Sequence, residues 1–153
     1  MSAPHNETVD HARRVLTIEA EALQQLANHL PVDFAPLTEA ILTCTGRVIV
    51  SGVGKSGHIG RKISATLAST GTPSYFVHAT EASHGDLGMI VEGDLCLLIS
   101  NSGETAELRD IVAHTRRFSI PMAAISSKVG STLMKAADFA LCLPDAPEAC
   151  AIG

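Results

Sequence analysis

Apolar positions recur along this chain in two rhythms: a helical one at the start and unbroken blocks afterwards. Val9, Leu16, Leu23, Leu26 and Leu30 fall near helical spacing, with Arg13, Glu19, Glu21 and Gln25 between them. That pattern predicts a long amphipathic helix over residues 7–30. Pro31 and Pro36 punctuate its end, and a second helix is expected over 36–44, stopped at Gly46. The remainder alternates strand and helix. Strands are predicted at 48–51, 74–77, 95–99, 122–126 and 139–143, and helices at 57–69, 106–117 and 132–137. The strand segments are continuous apolar runs, as expected when helices cover both faces of a sheet. Such alternation predicts an α/β fold: a doubly wound, five-stranded parallel sheet with right-handed crossovers and helices on both faces. A flavodoxin-like 2-1-3-4-5 order would make strands one and three neighbours at the switch point, where ligands of such sheets bind. The expected organisation is an N-terminal helical element over 1–45, suited to oligomerisation, and an α/β domain over 46–153.

Composition narrows the classes. Of 153 residues, 46% are apolar but only 3% aromatic, so the core must be aliphatic. The formal net charge of −5, with Lys and Arg scattered, excludes a nucleic-acid footprint. No segment approaches the roughly 20 apolar residues of a spanning helix, and Met1-Ser-Ala-Pro-His-Asn-Glu7 lacks the basic and apolar regions of a secretion signal. Cys44, Cys96, Cys142 and Cys150 form no C-x-x-C pair, which fits a reduced, cytoplasmic setting.

Two loops carry the chemistry. Strand 48–51 runs into Gly52-Val-Gly-Lys-Ser-Gly57, and strand 95–99 into Ser100-Asn-Ser-Gly-Glu-Thr105. A strand, a small-residue loop and a helix N-terminus together aim backbone N–H groups at an anion. The first loop matches G-x-G-x-x-G, but the acid expected at the end of the second strand is absent; the chain there reads His78-Ala-Thr-Glu81. A Walker loop fails on spacing, because Ile49 stands where its first glycine belongs. A bare strand–helix turn that only needs glycine is the alternative. The second loop offers three hydroxyls, Ser100, Ser102 and Thr105, around Gly103; helix capping would explain one of them, not three. Between the loops, His78, Glu81, His84 and Asp86 form either a chemical cluster or a solvated loop. Glu107 and Glu148 are carboxylates near the same sheet edge. Either would serve in proton transfer beside Lys55, although Glu107 would equally complement a helix dipole. His11, His29 and His114 are expected at the surface.

The motifs Gly52-Val-Gly-Lys-Ser-Gly-His-Ile-Gly-Arg-Lys62, Ala68-Ser-Thr-Gly-Thr-Pro73, His84-Gly-Asp-Leu-Gly-Met89, Ile99-Ser-Asn-Ser-Gly-Glu-Thr105 and Glu148-Ala-Cys150 resemble the sugar isomerase (SIS) domain of bacterial arabinose-5-phosphate isomerases. The resemblance covers nearly all of 9–153. It implies interconversion of D-ribulose 5-phosphate and D-arabinose 5-phosphate through a cis-enediolate, feeding Kdo and lipopolysaccharide synthesis. It also implies Lys55, Glu107 and Glu148 as catalytic residues. Gly52, Ser56, Gly71, Thr72, His84, Ser100, Asn101, Ser102, Gly103 and Thr105 become substrate contacts, and His78 a zinc-associated position where the metal inhibits; no cofactor is required. The partners implied are the sugar phosphate and further copies of the chain, as a dimer or tetramer. The family continues beyond the equivalent of Gly153 with a long helix, a further catalytic histidine and commonly a regulatory CBS pair, so the chain is expected to be a domain of something longer. A sugar-phosphate sensor without turnover is the rival class; a nicotinamide-binding domain is a third.

Overall fold

The computed structural model describes residues 3–149. They fall into two compact units: 31–143, and residues 1–30 together with 144–153, of which 3–30 and 144–149 are described. In the smaller unit, helix α1 (Ala3–Asn28) carries Val15, Ile18, Ala22 and Leu26 half-buried. A second stripe, seven residues apart, holds Val9, Leu16, Leu23 and Leu30 in the open; Leu16 and Leu23 are 65% and 68% exposed.

The larger unit is built on five strands, β1 (Val48–Gly52), β2 (Ser74–His78), β3 (Leu95–Ile99), β4 (Met122–Ser126) and β5 (Phe139–Cys142). All pair in parallel in the order β2-β1-β3-β4-β5, which is the expected topology. The central strands are apolar on both sides because each face packs its own core. Ile49, Cys96, Leu98, Met122 and Ala124 point to one side with Ile111 and Leu133. Val48, Val50, Leu95, Leu97 and Ala123 point to the other with Leu37. Helices α3 (Gly54–Ser69), α4 (Ala79–Ser83), α5 (Arg109–Arg117) and α6 (Thr132–Ala136) fill the crossovers.

Three expectations change. Helix α2 (Phe34–Leu42) belongs to the sheet unit and not to an N-terminal element ending at residue 45: Leu37 is buried in the second core cluster, and the Asp33 carboxylate accepts a bond from the Ala140 N–H at 2.8 Å. Helix α3 starts at Gly54, three residues before the expected Gly57. Glycine at the start of a helix lowers propensity, yet here it lets the helix settle on the sheet: a Cβ on Gly57 would stand 2.9 Å from the Gly52 carbonyl oxygen. His114 is half-buried, its Nε2 bonded to the Ile90 carbonyl at 2.9 Å.

The amino edge of the sheet is clasped by Arg47 and Asp94. The Asp94 carboxylate, 2% exposed, accepts bonds from the Arg47 N–H, Nε and Nη2 and from the Val91 N–H, at 2.9–3.1 Å. Burial alone would raise the Asp94 pKa; the hydrogen bonds from Arg47 and Val91 outweigh it and hold the carboxyl below its usual range. The clasp is therefore fully present above the unfolded carboxylate pKa of about 4 and is lost as pH falls through the lower folded value. Asp94→Asn should cost about 3 kcal/mol at neutral pH and should lessen the acid-side loss of stability. Chemical unfolding at pH 7 and at acid pH measures both.

Candidate active site

The carboxyl edge of the sheet collects the chemistry-bearing segments. Register places Gly52 beside His78, Ser51 beside Leu98, and Ile99 beside Ile125, so β1 and β3 end side by side. Because α3 begins at Gly54, Lys55 and Ser56 ride on its first turn, Lys55 exposed and Ser56 half-buried. A helix's first N–H groups have no intrahelical acceptor, and its dipole is positive at that end. Gly52 is buried; a Cβ there would stand 3.1 Å from the Ile99 carbonyl oxygen, so the two loops approach closely at their roots.

The loop after β3 is held from inside. Ser100 is 2% exposed; its Oγ lies 2.7 Å from Thr105 Oγ1 and accepts the Gly103 N–H at 3.0 Å. Asn101 and Ser102 are exposed residues of the loop, and Ser102 Oγ accepts the Glu104 N–H at 3.2 Å. The Asn101 carbonyl receives the Ser126 and Ser127 hydroxyls and the Ser127 N–H, at 3.0–3.1 Å. Thr105 starts a 3-10 turn (Ala106–Leu108), but its side chain makes no cap there, so capping is not what its hydroxyl does. Glu107 is exposed in that turn, which leads directly into α5. Thr105, Leu108, Arg109 and Leu133 line a hollow of ≈ 180 Å³ beside the loop.

The residues that pack the loop carry no motif of their own. Gly103 has φ +66°, and a Cβ there would lie 2.0 Å from Ser131 Oγ. Ser131 caps α6 by accepting the Met134 N–H, the Gly103 carbonyl takes the Leu133 N–H, and Glu104 Oε1 takes the Thr132 N–H at 2.7 Å. Sequence reasoning misses the parts played by Ser126, Ser131 and Glu104. Only Ser131 bears a signal, as a serine directly before a helical segment.

The other expected site residues are placed as follows in the fold. Gly71 and Thr72 precede β2, whose first residue pairs with Val48 at the start of β1. They therefore sit at the amino edge, a strand's length from Gly52, roughly 13 Å. There they line a separate hollow of ≈ 320 Å³ with Cys44, Gly46 and Thr70. His84 is exposed at the end of α4, which leaves the carboxyl end of β2. His78 is half-buried, and its Nδ1 accepts the Thr80 N–H at 3.3 Å, capping α4. Among the described residues no three metal-capable side chains come together, at His78 or elsewhere. Glu148 is exposed in the segment after β5, within the smaller unit. Cys96 is fully buried and its thiol is pushed up to about 12, which removes it as a nucleophile. Cys150 lies outside the described residues. Among the described residues no helix is long and apolar enough to cross a membrane.

The family model of the SIS domain matches residues 41–153. The chain belongs to the SIS domain family. The arabinose 5-phosphate isomerase KdsD of Yersinia pestis is 52% identical over 141 residues, 92% of this chain and 43% of that protein. KdsD of Escherichia coli K12 is 46% identical over the same shares. The SIS chain thus spans less than half the length of these curated relatives. Among solved structures, c3406 of E. coli CFT073 in complex with arabinose 5-phosphate superposes with a TM-score of 0.91 at 38% identity, over 97% of this chain and 79% of that one. At that identity and coverage the likeness is one of family as well as of fold.

Proposed function

We propose that this SIS domain is the isomerase part of an arabinose-5-phosphate isomerase, interconverting D-ribulose 5-phosphate and D-arabinose 5-phosphate. The observation that carries the reading is the meeting of the Lys55-bearing start of α3 with the hydroxyl loop after β3 at the switch point of the sheet, in a chain 52% identical to KdsD of Y. pestis.

The phosphate belongs at the loop from Ser100 to Thr105, where Asn101 and Ser102 face outward and Ser100 and Thr105 hold the shape. Lys55 stabilises the oxyanion that develops on O1 or O2, an interaction worth on the order of 3 kcal/mol when preorganised. In the aldose-to-ketose direction, a carboxylate removes the proton from C2 and returns it to C1; O2 loses a proton and O1 gains one. Glu148 is the first choice for that base and Glu107 the second, with His84 or a histidine further along the protein assisting at the oxygens. The reaction is redox-neutral and intramolecular, so the reading requires no cofactor; zinc is assigned only an inhibitory role, at His78. Gly71 and Thr72, at the amino edge of the sheet, are given no part in this phosphate site, and the open Leu16/Leu23 stripe of α1 is assigned to self-association. The setting proposed is cytoplasmic, upstream of Kdo in lipopolysaccharide synthesis.

The second reading is a sugar-phosphate sensor that binds without turnover. It draws on the same loop and needs neither Glu148 nor Lys55 for chemistry. Calorimetric titration tests the feature common to both: D-arabinose 5-phosphate should bind and D-arabinose should not, whereas equal heats for the two sugars would remove the phosphate site.

A further inference from the structure

We propose that Glu104 is a positioning residue that fixes the phosphate-binding loop by tying it to the start of α6. The proposal rests on the phosphate site described above.

A glutamate inside a loop assigned to a dianion is a puzzle on charge alone, since an unpaired carboxylate repels phosphate. The geometry resolves it. Glu104 turns its side chain away from the loop and places Oε1 2.7 Å from the Thr132 N–H, across 28 residues of sequence. Its charge is answered there: the Thr132 backbone hydrogen bond first, then the Thr132 hydroxyl and the positive Lys135 and Arg109, hold its carboxyl below the usual range. The adjacent carbonyl, that of Gly103, takes the next N–H of the same helix, from Leu133, at 3.0 Å. Two successive loop residues thus satisfy two successive orphan donors of α6. Gly103 itself sits with φ +66° against Ser131, a position that admits no side chain and so seats the loop closely on the start of the helix. On the other side, the Glu104 N–H is bonded to Ser102 Oγ, an exposed side chain of the loop. Glu104 therefore links α6 through its side chain to Ser102 through its backbone. A loop fixed before the ligand arrives does not lose that conformational freedom on binding, which is a gain in affinity.

The consequence separates this role from two simpler ones. Were Glu104 only a nearby negative charge, removing it would tighten phosphate binding in every variant. Were it only a contributor to folding, its loss would lower the active fraction and leave the affinity of the folded molecules alone. As a brace, it needs an acceptor at Oε1 and does not need the charge. D-arabinose 5-phosphate is titrated calorimetrically into wild type, Glu104→Ala and Glu104→Gln, with folding checked by melting. The Ala variant should bind about tenfold more weakly. The Gln variant, which keeps the acceptor, should stay within about threefold of wild type. In turnover the loss should appear in KM with kcat nearly unchanged. Amide spectra of unliganded Glu104→Ala should show shifts at Thr132 and across 100–105. Unchanged or tighter binding in Glu104→Ala, beside a wild type that binds, overturns the brace and leaves the phosphate site standing. A wild type that does not bind arabinose 5-phosphate overturns both.

Discussion

Lys55→Ala is expected to lower the interconversion of ribulose 5-phosphate and arabinose 5-phosphate at least about 100-fold, with a smaller effect on binding. The argument is positional. Lys55 lies on the first turn of α3 and is exposed at the carboxyl edge of β1, beside the end of β3. It stands among N–H groups that have no helical acceptor, so its ammonium and those N–H groups share one field. An enediolate concentrates negative charge on one sugar oxygen only near the transition state, and a cation placed there lowers the barrier more than it strengthens substrate binding. Glu148→Gln should produce a loss of similar size by removing the base while keeping the shape. Steady-state kinetics on the two variants, in a form of the protein that turns over ribulose 5-phosphate, reads both. A rate near that of wild type in either variant removes that residue from the mechanism.

The largest structural effect is expected at Gly103. A methyl group there would meet Ser131 Oγ at 2.0 Å and Ser131 Cβ at 2.4 Å, in a backbone region (φ +66°) that side chains disfavour. Gly103→Ala should cost about 3 kcal/mol, of which roughly 1 is backbone strain and the rest steric displacement. It should also abolish detectable sugar-phosphate binding, because the displaced segment is the loop itself. The pair is separable: Ser131→Gly opens the space, so the double variant should recover part of the steric loss and none of the strain. A double-mutant cycle by chemical denaturation measures this coupling. Additive costs would show that Ser131 is not what Gly103 packs against.

The parallel sheet was legible because its strands are buried on both faces. Val48 to Val50 and Leu95 to Leu98 are nearly inaccessible to solvent, and selection for burial leaves unbroken apolar runs in the sequence. The two loops proposed for the sugar phosphate stood out because each sets small residues directly after such a strand and before a helix. What escaped notice did so for physical reasons. Helix α4 (Ala79–Ser83) is five residues long, too short to show a period, and its first cap is a histidine ring. The true start of α3 was hidden by two glycines that read as loop: Gly54, whose φ of +55° turns the chain into the helix, and Gly57, which lets the helix approach Gly52. Helix α2 is amphipathic like α1, so nothing local says that Leu37 belongs to the sheet's core. Contacts across the chain left no trace at all: the ties from Glu104 and Gly103 to α6, and from Asp33 to Ala140, join residues that no spacing rule relates. Gly71 and Thr72 share a motif with substrate contacts, yet the register of β2 puts them at the other edge of the sheet.

The central claim is that this edge moves a proton between two carbons of a phosphorylated pentose. Ribulose 5-phosphate incubated with the protein in deuterated water, followed by proton NMR, tests it most directly. The account predicts arabinose 5-phosphate carrying deuterium at C2, and deuterium entering C1 of the ribulose 5-phosphate that re-forms, because the abstracted proton is held by a carboxylate that exchanges with solvent. Binding without any exchange or isomerisation, in a protein form that includes the complete site, would contradict it and leave the sensor reading in its place.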